Sequence, residues 1–301
     1  MVKKLLDRSA LALFRTLPTR AAHHLLFLAQ TNPDLSDRWG YHIRPIHYYE
    51  PLPDFRSITT EQITRCRRYP AIDFGFEQQL ALLDELAAYR NELLDLEFDF
   101  KNDYFNGFDA AVYYAIIRHL KPERIIEIGG GYSTRIASKA VAVNAQGKLT
   151  CIEPFPQPRL NGTRLDVELI TKRVEELDPD FFSCLAANDI LFIDSSHTVK
   201  FGSDVCYEFL ELLPRLARGV WVHVHDIFFP HDYPAEWLID RRLALNEQYL
   251  LEAFLSFNTT FSTRLANYWL CLDHRDEAAR LWPEVLSSTH RASSFWMKRI
   301  A

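Results

Sequence analysis

The sequence contains no Cys-x-x-Cys pair, no internal repeat, no low-complexity tract and no apolar run long enough to cross a membrane. Its five cysteines, Cys66, Cys151, Cys184, Cys206 and Cys271, are scattered along the chain. That scatter excludes a disulfide framework and predicts a reducing, cytoplasmic setting. Nor is there a basic excess. Thirty-four Lys and Arg face 40 Asp and Glu, a net charge of −6, so no nucleic-acid partner is expected, since such binders usually carry a basic face. The basic opening Met1–Arg15 has Ala10–Phe14 as its longest apolar stretch, too short for a secretory core or a membrane span. It reads as an amphipathic helix that packs on the body or rests weakly on a membrane surface, packing being preferred because such helices usually bury their apolar face at home. The 301 residues are enough for one large α/β domain plus an appendage, and 48% hydrophobic against 25% charged residues reads as globular rather than disordered.

Residues 1–30 look helical, but 31–58 do not. Asn32-Pro, Gly40, Pro45, Pro51 and Pro53 punctuate that stretch, and Tyr41–Asp54 is an aromatic, proline-stiffened arm that no helix interior accommodates. Leu80, Leu83, Leu86, Tyr89 and Leu93 recur at helical spacing over Phe76–Leu96, and Asp109–His119 is a second helix with an acid in its first turn. From Arg124 onward, short apolar runs at 124–128, 148–152, 167–170, 189–194 and 219–225 alternate with helical runs, Val205–Leu216 being the clearest. Trp237–Phe254 is a further helix candidate. Such alternation predicts a Rossmann-like, mostly parallel sheet with helices on both faces. Two β-like runs, 258–264 and 267–272, are close enough to form a terminal antiparallel hairpin. The expected organisation is a helical and extended N-terminal arm over 1–100 that lids the substrate side, a catalytic domain over 101–275 and a helical extension over 276–301.

One segment carries most of the functional signal. Glu127-Ile-Gly-Gly-Gly-Tyr-Ser-Thr134 joins the apolar run Arg-Ile-Ile to a helix-like run. A glycine turn there lets backbone N–H groups approach a ligand and aims a helix N-terminus at it. Glu153 closes the next strand, and an acid at that place commonly grips the hydroxyls of a ribose. A nucleoside-containing cofactor follows. A nicotinamide site competes, but its fingerprint ends on Gly or Ala where this turn has Thr134. A non-catalytic scaffold that keeps the cleft only for stability is the third reading.

These residues resemble the class I S-adenosylmethionine-dependent methyltransferases. Five segments resemble, more narrowly, methyltransferase family 24: Pro45–Asp54, Arg124–Thr134, Phe192-Ile-Asp-Ser-Ser-His197, Val222-His-Val-His-Asp-Ile-Phe-Phe-Pro230 and Asn246–Leu251. The resemblance implies six parallel strands and one antiparallel, with S-adenosylmethionine as cofactor. It assigns Glu127, Gly129, Gly130 and Gly131 to the methionine side of the donor, Ser133 and Thr134 to its carboxylate and Glu153 to its ribose, with Asp194 also at the cofactor. It does not supply the acceptor. A small molecule or a glycan methylated on oxygen is preferred, and a homo-oligomer is admissible.

Asp194 and His197 end the fourth strand, and His225 and Asp226 end the fifth. Neighbouring strands lie about 4.8 Å apart, so these four are expected to converge beside the cofactor. Two chemistries fit them. His197, His225 or Asp226 acts as a general base, histidine being suited by a pKa near neutrality. Alternatively Asp194, His225 and Asp226 hold a divalent metal that acidifies the acceptor. His223, deeper on the same strand, reads as a core residue, and His231 as a weaker candidate.

Overall fold

The computed structural model describes residues 16, 18–38, 40–65, 67, 69–100, 102, 104–105, 107–156, 166–283 and 291–301. The expected opening helix over Met1–Arg15 and Cys66 lie outside the described residues. Two compact units result, Met1–Ser57 and Ile58–Ala301. In the first, helix α1 spans Thr19–Thr31, and residues 40–57 form neither helix nor strand, as their prolines require. No helix among the described residues is long and apolar enough to cross a membrane.

In the second unit, seven strands line up as β3-β2-β1-β4-β5-β7-β6. They are β1 (Arg124–Ile128), β2 (Lys148–Ile152), β3 (Glu168–Ile170), β4 (Ile190–Ile193), β5 (Trp221–Val224), β6 (Phe261–Ala266) and β7 (Phe295–Arg299). Every pairing from β3 to β5 is parallel, while β7 runs antiparallel to both β5 and β6. The central strands are short apolar runs because both faces are covered. On one face Leu82, Leu83 and Leu86 of α2 (Phe76–Ala87) and the almost wholly buried α3 (Gly107–Leu120) meet Ile125, Phe192 and Trp296. A helix as apolar all round as α3 has to be buried. On the other face, Val205 of α5 (Asp204–Tyr207), Phe209 and Leu251 of α6 (Glu247–Leu255) meet Ile126, Leu191 and Val222.

Strand order reverses between β1 and β4. Open α/β sheets bind ligands at such a point, beyond the carboxyl ends of the strands. α4 (Tyr132–Asn144) starts there, directly after the glycine turn.

Three expectations change. The boundary expected at residue 100 moves to Ser57, because α2 is part of the core. Residues 267–272 form not a strand but helix α7 (Asn267–Leu272), and the antiparallel partner of β6 comes from Phe295–Arg299, inside the expected helical extension. Of that extension, α8 (Arg275–Leu281) is helical. Phe295, Trp296 and Met297 are buried on both faces, so β7 lacks the alternation that marks a half-exposed strand. The helix expected over 237–254 is broken. A helical turn at Glu236–Asp240 and a left-handed residue, Arg242 (φ 52°), precede α6.

Candidate active site

β1 delivers Glu127 and the glycine turn to the switch point. Asp194 N–H donates to Ile128 O at 2.8 Å and Gly129 N–H to Ile152 O at 2.9 Å, so the turn is pinned between β2 and β4. Gly129 has φ +83°, and a Cβ there would sit 1.9 Å from the carbonyl oxygen of Asp194. Glycine is therefore obligatory for steric and conformational reasons. Gly131 is different. Its φ of 173° is extended backbone, and a Cβ would meet no protein atom within 4 Å. Open space lies in front of it.

Glu153 ties the turn to the next loop. It accepts Gly130 N–H at 3.2 Å through Oε2 and Phe155 N–H at 2.8 Å through Oε1. A carboxylate has about four acceptor positions, so two remain for hydroxyl donors. Glu153 lines a cleft of ≈ 420 Å³ together with Gly129, Phe155, Glu175, Asp194 and Ser196. That volume falls within the range of small-molecule sites.

Glu127 lies beneath, fully buried, with Oε1 accepting the Tyr113 hydroxyl at 2.9 Å. Burial pushes it up to about 8, against the pull of the Thr134 and Tyr113 hydroxyls. Its Oε2 has no hydrogen-bond partner among the described residues. Ser133 and Thr134, expected at the donor carboxylate, are buried. Thr134 accepts Gly131 N–H at 3.1 Å and so holds the turn itself. Because the folded pKa of Glu127 is raised, the unfolded chain ionises first. Glu127 leaves stability untouched below about pH 4.5 and lowers it progressively up to about pH 8. Glu127→Gln is expected to flatten that part of the stability profile, read from urea unfolding at pH 5 and pH 8. An unchanged slope would show that Glu127 does not titrate there.

Beyond Asp194 the cleft meets a compact charged cluster. Asp194 Oδ1 lies 3.3 Å from His197 Nε2 and 3.4 Å from His225 Nδ1. Asp226 places Oδ2 3.5 Å from His197 Nε2 and Oδ1 3.6 Å from His225 Nδ1. Asp194, His197, His225 and Asp226 are thus brought together. His197 and Asp226 both adopt φ 56°. Left-handed residues other than glycine are uncommon and cluster at functional sites.

Burial would lower both imidazoles, but the carboxylates outweigh it. His225 rises to about 9 beside Asp194 and Asp226, and His197 rises well above its ordinary value beside Asp194 and Glu247. Burial would raise Asp194, yet the imidazoles of His225 and His197 hold it well below the usual carboxylate range. Both histidines are therefore cations near neutral pH. The metal reading would require His225 to give up the proton that Asp194 and Asp226 favour on it, since only a neutral imidazole has a lone pair to give. Among the described residues no three His, Cys, Asp or Glu side chains are arranged to hold a metal ion.

Sequence reasoning missed three supports of the cluster. Glu247, at the first turn of α6, accepts His197 Nδ1–H at 2.7 Å, while Asn246 and Glu247 N–H groups bind the His197 carbonyl. Asp109, read as a first-turn acid, accepts the N–H groups of Ser293 and Ser294 and lies 3.9 Å from His225 Nε2. Ser293 donates to Asp226 Oδ1 at 3.1 Å. Only Asn246-Glu247 carried a signal, as part of a segment without an assigned role. His223 is buried, stacked on Phe192 and bonded to Ser294, and burial holds it well below its ordinary value. His231 pairs with Asp273 outside the cluster.

A parallel sheet with one reversed strand, a glycine turn at its switch point and an acid on the next strand define the class I methyltransferase architecture. The family described as Methyltransferase domain matches residues 126–227, from β1 past the end of β5. An uncharacterised protein of Archaeoglobus fulgidus is 33% identical over 166 residues, 48% of this chain and 75% of that protein. The chain belongs to the methyltransferase-domain family, within the class I S-adenosylmethionine-dependent methyltransferases. Among solved structures, an SAH-bound methyltransferase of Podospora anserina is 13% identical with a TM-score of 0.43, covering 74% of this chain and 88% of that one. An O-methyltransferase of Bacillus cereus in complex with SAH is 11% identical with a TM-score of 0.35, covering 73% and 91%.

Proposed function

We propose that the protein methylates an oxygen of a small-molecule or glycan acceptor at the Asp194–His225 end of the donor cleft. One observation carries this reading: Asp194 belongs both to the cleft that holds Glu153 and to the cluster of His197, His225 and Asp226. The residues fit the donor. Glu153 keeps acceptor positions for ribose hydroxyls, and the space before Gly131 suits the methionine end. S-adenosylmethionine supplies an electrophilic methyl group when bound.

The cluster prepares the acceptor. Two imidazolium groups beside a hydroxyl favour its oxyanion, and thus acidify it. Because His197 and His225 are already protonated, a carboxylate is the group free to take the proton. Asp226, part-exposed at the strand end and fixed by Ser293 and both imidazoles, is the proposed general base. The donor, held by Glu153 and the glycine turn, would supply its methyl group to the acceptor oxygen with its sulfur as the leaving group, and Asp226 would take the acceptor's proton. Of the three candidate bases, His197, His225 and Asp226, this reading selects Asp226 and leaves His197 and His225 as cationic stabilisers.

Calorimetric titration with S-adenosylhomocysteine tests the donor half. Micromolar binding is expected, weakened at least about tenfold by Glu153→Ala, as loss of charge-assisted hydrogen bonds predicts. Silence from the wild type would remove the donor assignment and return the nicotinamide and scaffold readings. Equal affinity in the variant would remove Glu153 from the site.

A further inference from the structure

Helix α1 of the first unit is apolar where it is exposed. Of its 13 residues only Ala29 is buried. Leu25, Leu26, Phe27 and Leu28 follow one another along it, each between 41% and 58% exposed. Successive residues of an α-helix are about 100° apart, so four in a row occupy the whole circumference. A helix apolar all round is ordinarily enclosed, in a protein core or in lipid. The first half of α1 is different, since Thr19, Arg20, His23 and His24 are polar and exposed. At the apolar end, Thr31 Oγ1 donates to the Phe27 carbonyl at 2.9 Å and Asn32 Nδ2 to the Leu28 carbonyl at 2.8 Å. Those carbonyls need no water, which is what a helix end must achieve before it can leave water.

The charge in this part of the chain has one sign. Residues 1–31 hold Lys3, Lys4, Arg8, Arg15 and Arg20 against Asp7, a net charge of +4. The whole chain carries −6, so everything after residue 31 carries −10. Asp34 and Asp37 follow α1, but Arg38 and Arg44 match them, and the excess of +4 holds as far as residue 44.

We propose that α1 docks on an anionic lipid membrane, its Leu25–Leu28 end entering the boundary between headgroups and acyl chains and Arg20 staying at the headgroups. Thirteen residues rise about 20 Å, short of the roughly 30 Å hydrocarbon core, so the helix enters one leaflet and does not cross. Apolar side chains and a basic stretch are the two signals that together hold a protein on anionic lipid. A second copy of the chain fits less well. A protein groove covers one face of a helix, whereas acyl chains reach every side of Leu25–Leu28. Packing α1 against α1 would also set +4 against +4. The surface uses no residue of the donor cleft, so it stands whether or not the donor binds there.

Co-sedimentation of the full-length protein with vesicles of phosphatidylcholine and phosphatidylglycerol in equal amounts tests the proposal. Saturable binding is expected. It should weaken at least about tenfold on vesicles of phosphatidylcholine alone, and again in the double variant Leu26→Glu with Phe27→Glu. Raising the salt from about 0.1 M to about 0.5 M should weaken it too, since exposed charges are then screened. Both side chains are exposed, so the thermal melt of the double variant should match the wild type, and Arg20→Glu serves should it not. No binding to the anionic vesicles, equal binding to the neutral ones, or wild-type binding by a folded variant would overturn the proposal. A dimer in sedimentation equilibrium that Phe27→Glu dissociates, without vesicle binding, would give the surface to a second copy and overturn it as well.

Discussion

Gly129→Ala is expected to destabilise the protein by about 3–5 kcal/mol and abolish donor binding, whereas Gly131→Ala should fold normally and still lose the donor. The first effect has two sources. Alanine is strained at φ +83°, and its Cβ would lie 1.9 Å from the Asp194 carbonyl oxygen. Neither neighbour can yield cheaply, because Asp194 N–H is bonded to Ile128 O and the contact is with backbone rather than a flexible side chain. β4 would have to separate from β1 at the place where Asp194 meets the two imidazoles. Gly131 has extended backbone and open space, so the methyl group of alanine meets no protein atom and stability should change by less than about 0.5 kcal/mol. What that methyl group would meet is the donor. Urea unfolding and calorimetric titration with S-adenosylhomocysteine check both variants. Wild-type stability in Gly129→Ala would contradict the turn geometry, and wild-type affinity in Gly131→Ala would mean that the donor does not use that space.

The contrast between these glycines shows where sequence reading stops. Glu127-Ile-Gly-Gly-Gly announces a ligand-binding turn, and β1 and β2 fall on the runs 124–128 and 148–152, since an apolar run ending in Gly or an acid leaves little choice. Which glycine the chain needs and which one a ligand needs depends on Asp194, 65 positions later. β7 was illegible for a related reason. Phe295-Trp-Met297 is too short and too uniformly apolar to show a period, and its place between β5 and β6 depends on contacts made from 221–224 and 261–266. Among the candidate site residues, Asp194 follows β4 directly and His225 and Asp226 follow β5, so these were legible as strand ends, whereas His197 lies four positions past β4. Glu247 and Asp109 begin helices, where an acid is the ordinary choice for the helix dipole. Only the tertiary structure shows that Glu247 also accepts from His197 and that Asp109 holds the entry to β7 beside His225. The protonation of the histidines was least accessible of all. An isolated histidine suggests a base, but one enclosed by Asp194, Asp226 and Glu247 is a cation.

That enclosure makes Asp194→Asn the most informative substitution in the cluster. In the wild type His225 is raised to about 9 from an ordinary value near 6.5. Its contribution is fully present below pH 6.5 and is lost as pH rises through 9, with a magnitude on the order of 3 kcal/mol. Asp194, held low, contributes above the ordinary carboxylate range and loses its contribution only in acid. Glu127 adds a decline between about pH 4.5 and 8. The wild type should therefore be most stable near pH 5–6 and weaken steadily towards pH 9. An amide at position 194 would leave two buried imidazoles without the carboxylate they share. Asp226 and Asp109 still face His225, but burial would then have less to oppose it, and the His225 pKa should fall. At pH 6 the variant is expected to be less stable by about 3–5 kcal/mol, as when one member of a buried ion pair is removed. By pH 9, where the wild type has itself half discharged His225, the gap should close by more than half. Guanidinium unfolding of both proteins at pH 6, 7.5 and 9 gives the comparison. Parallel curves would mean that Asp194 does not set the charge of His225, and the proposal of Asp226 as base, which requires an imidazolium beside it, would fall with that result.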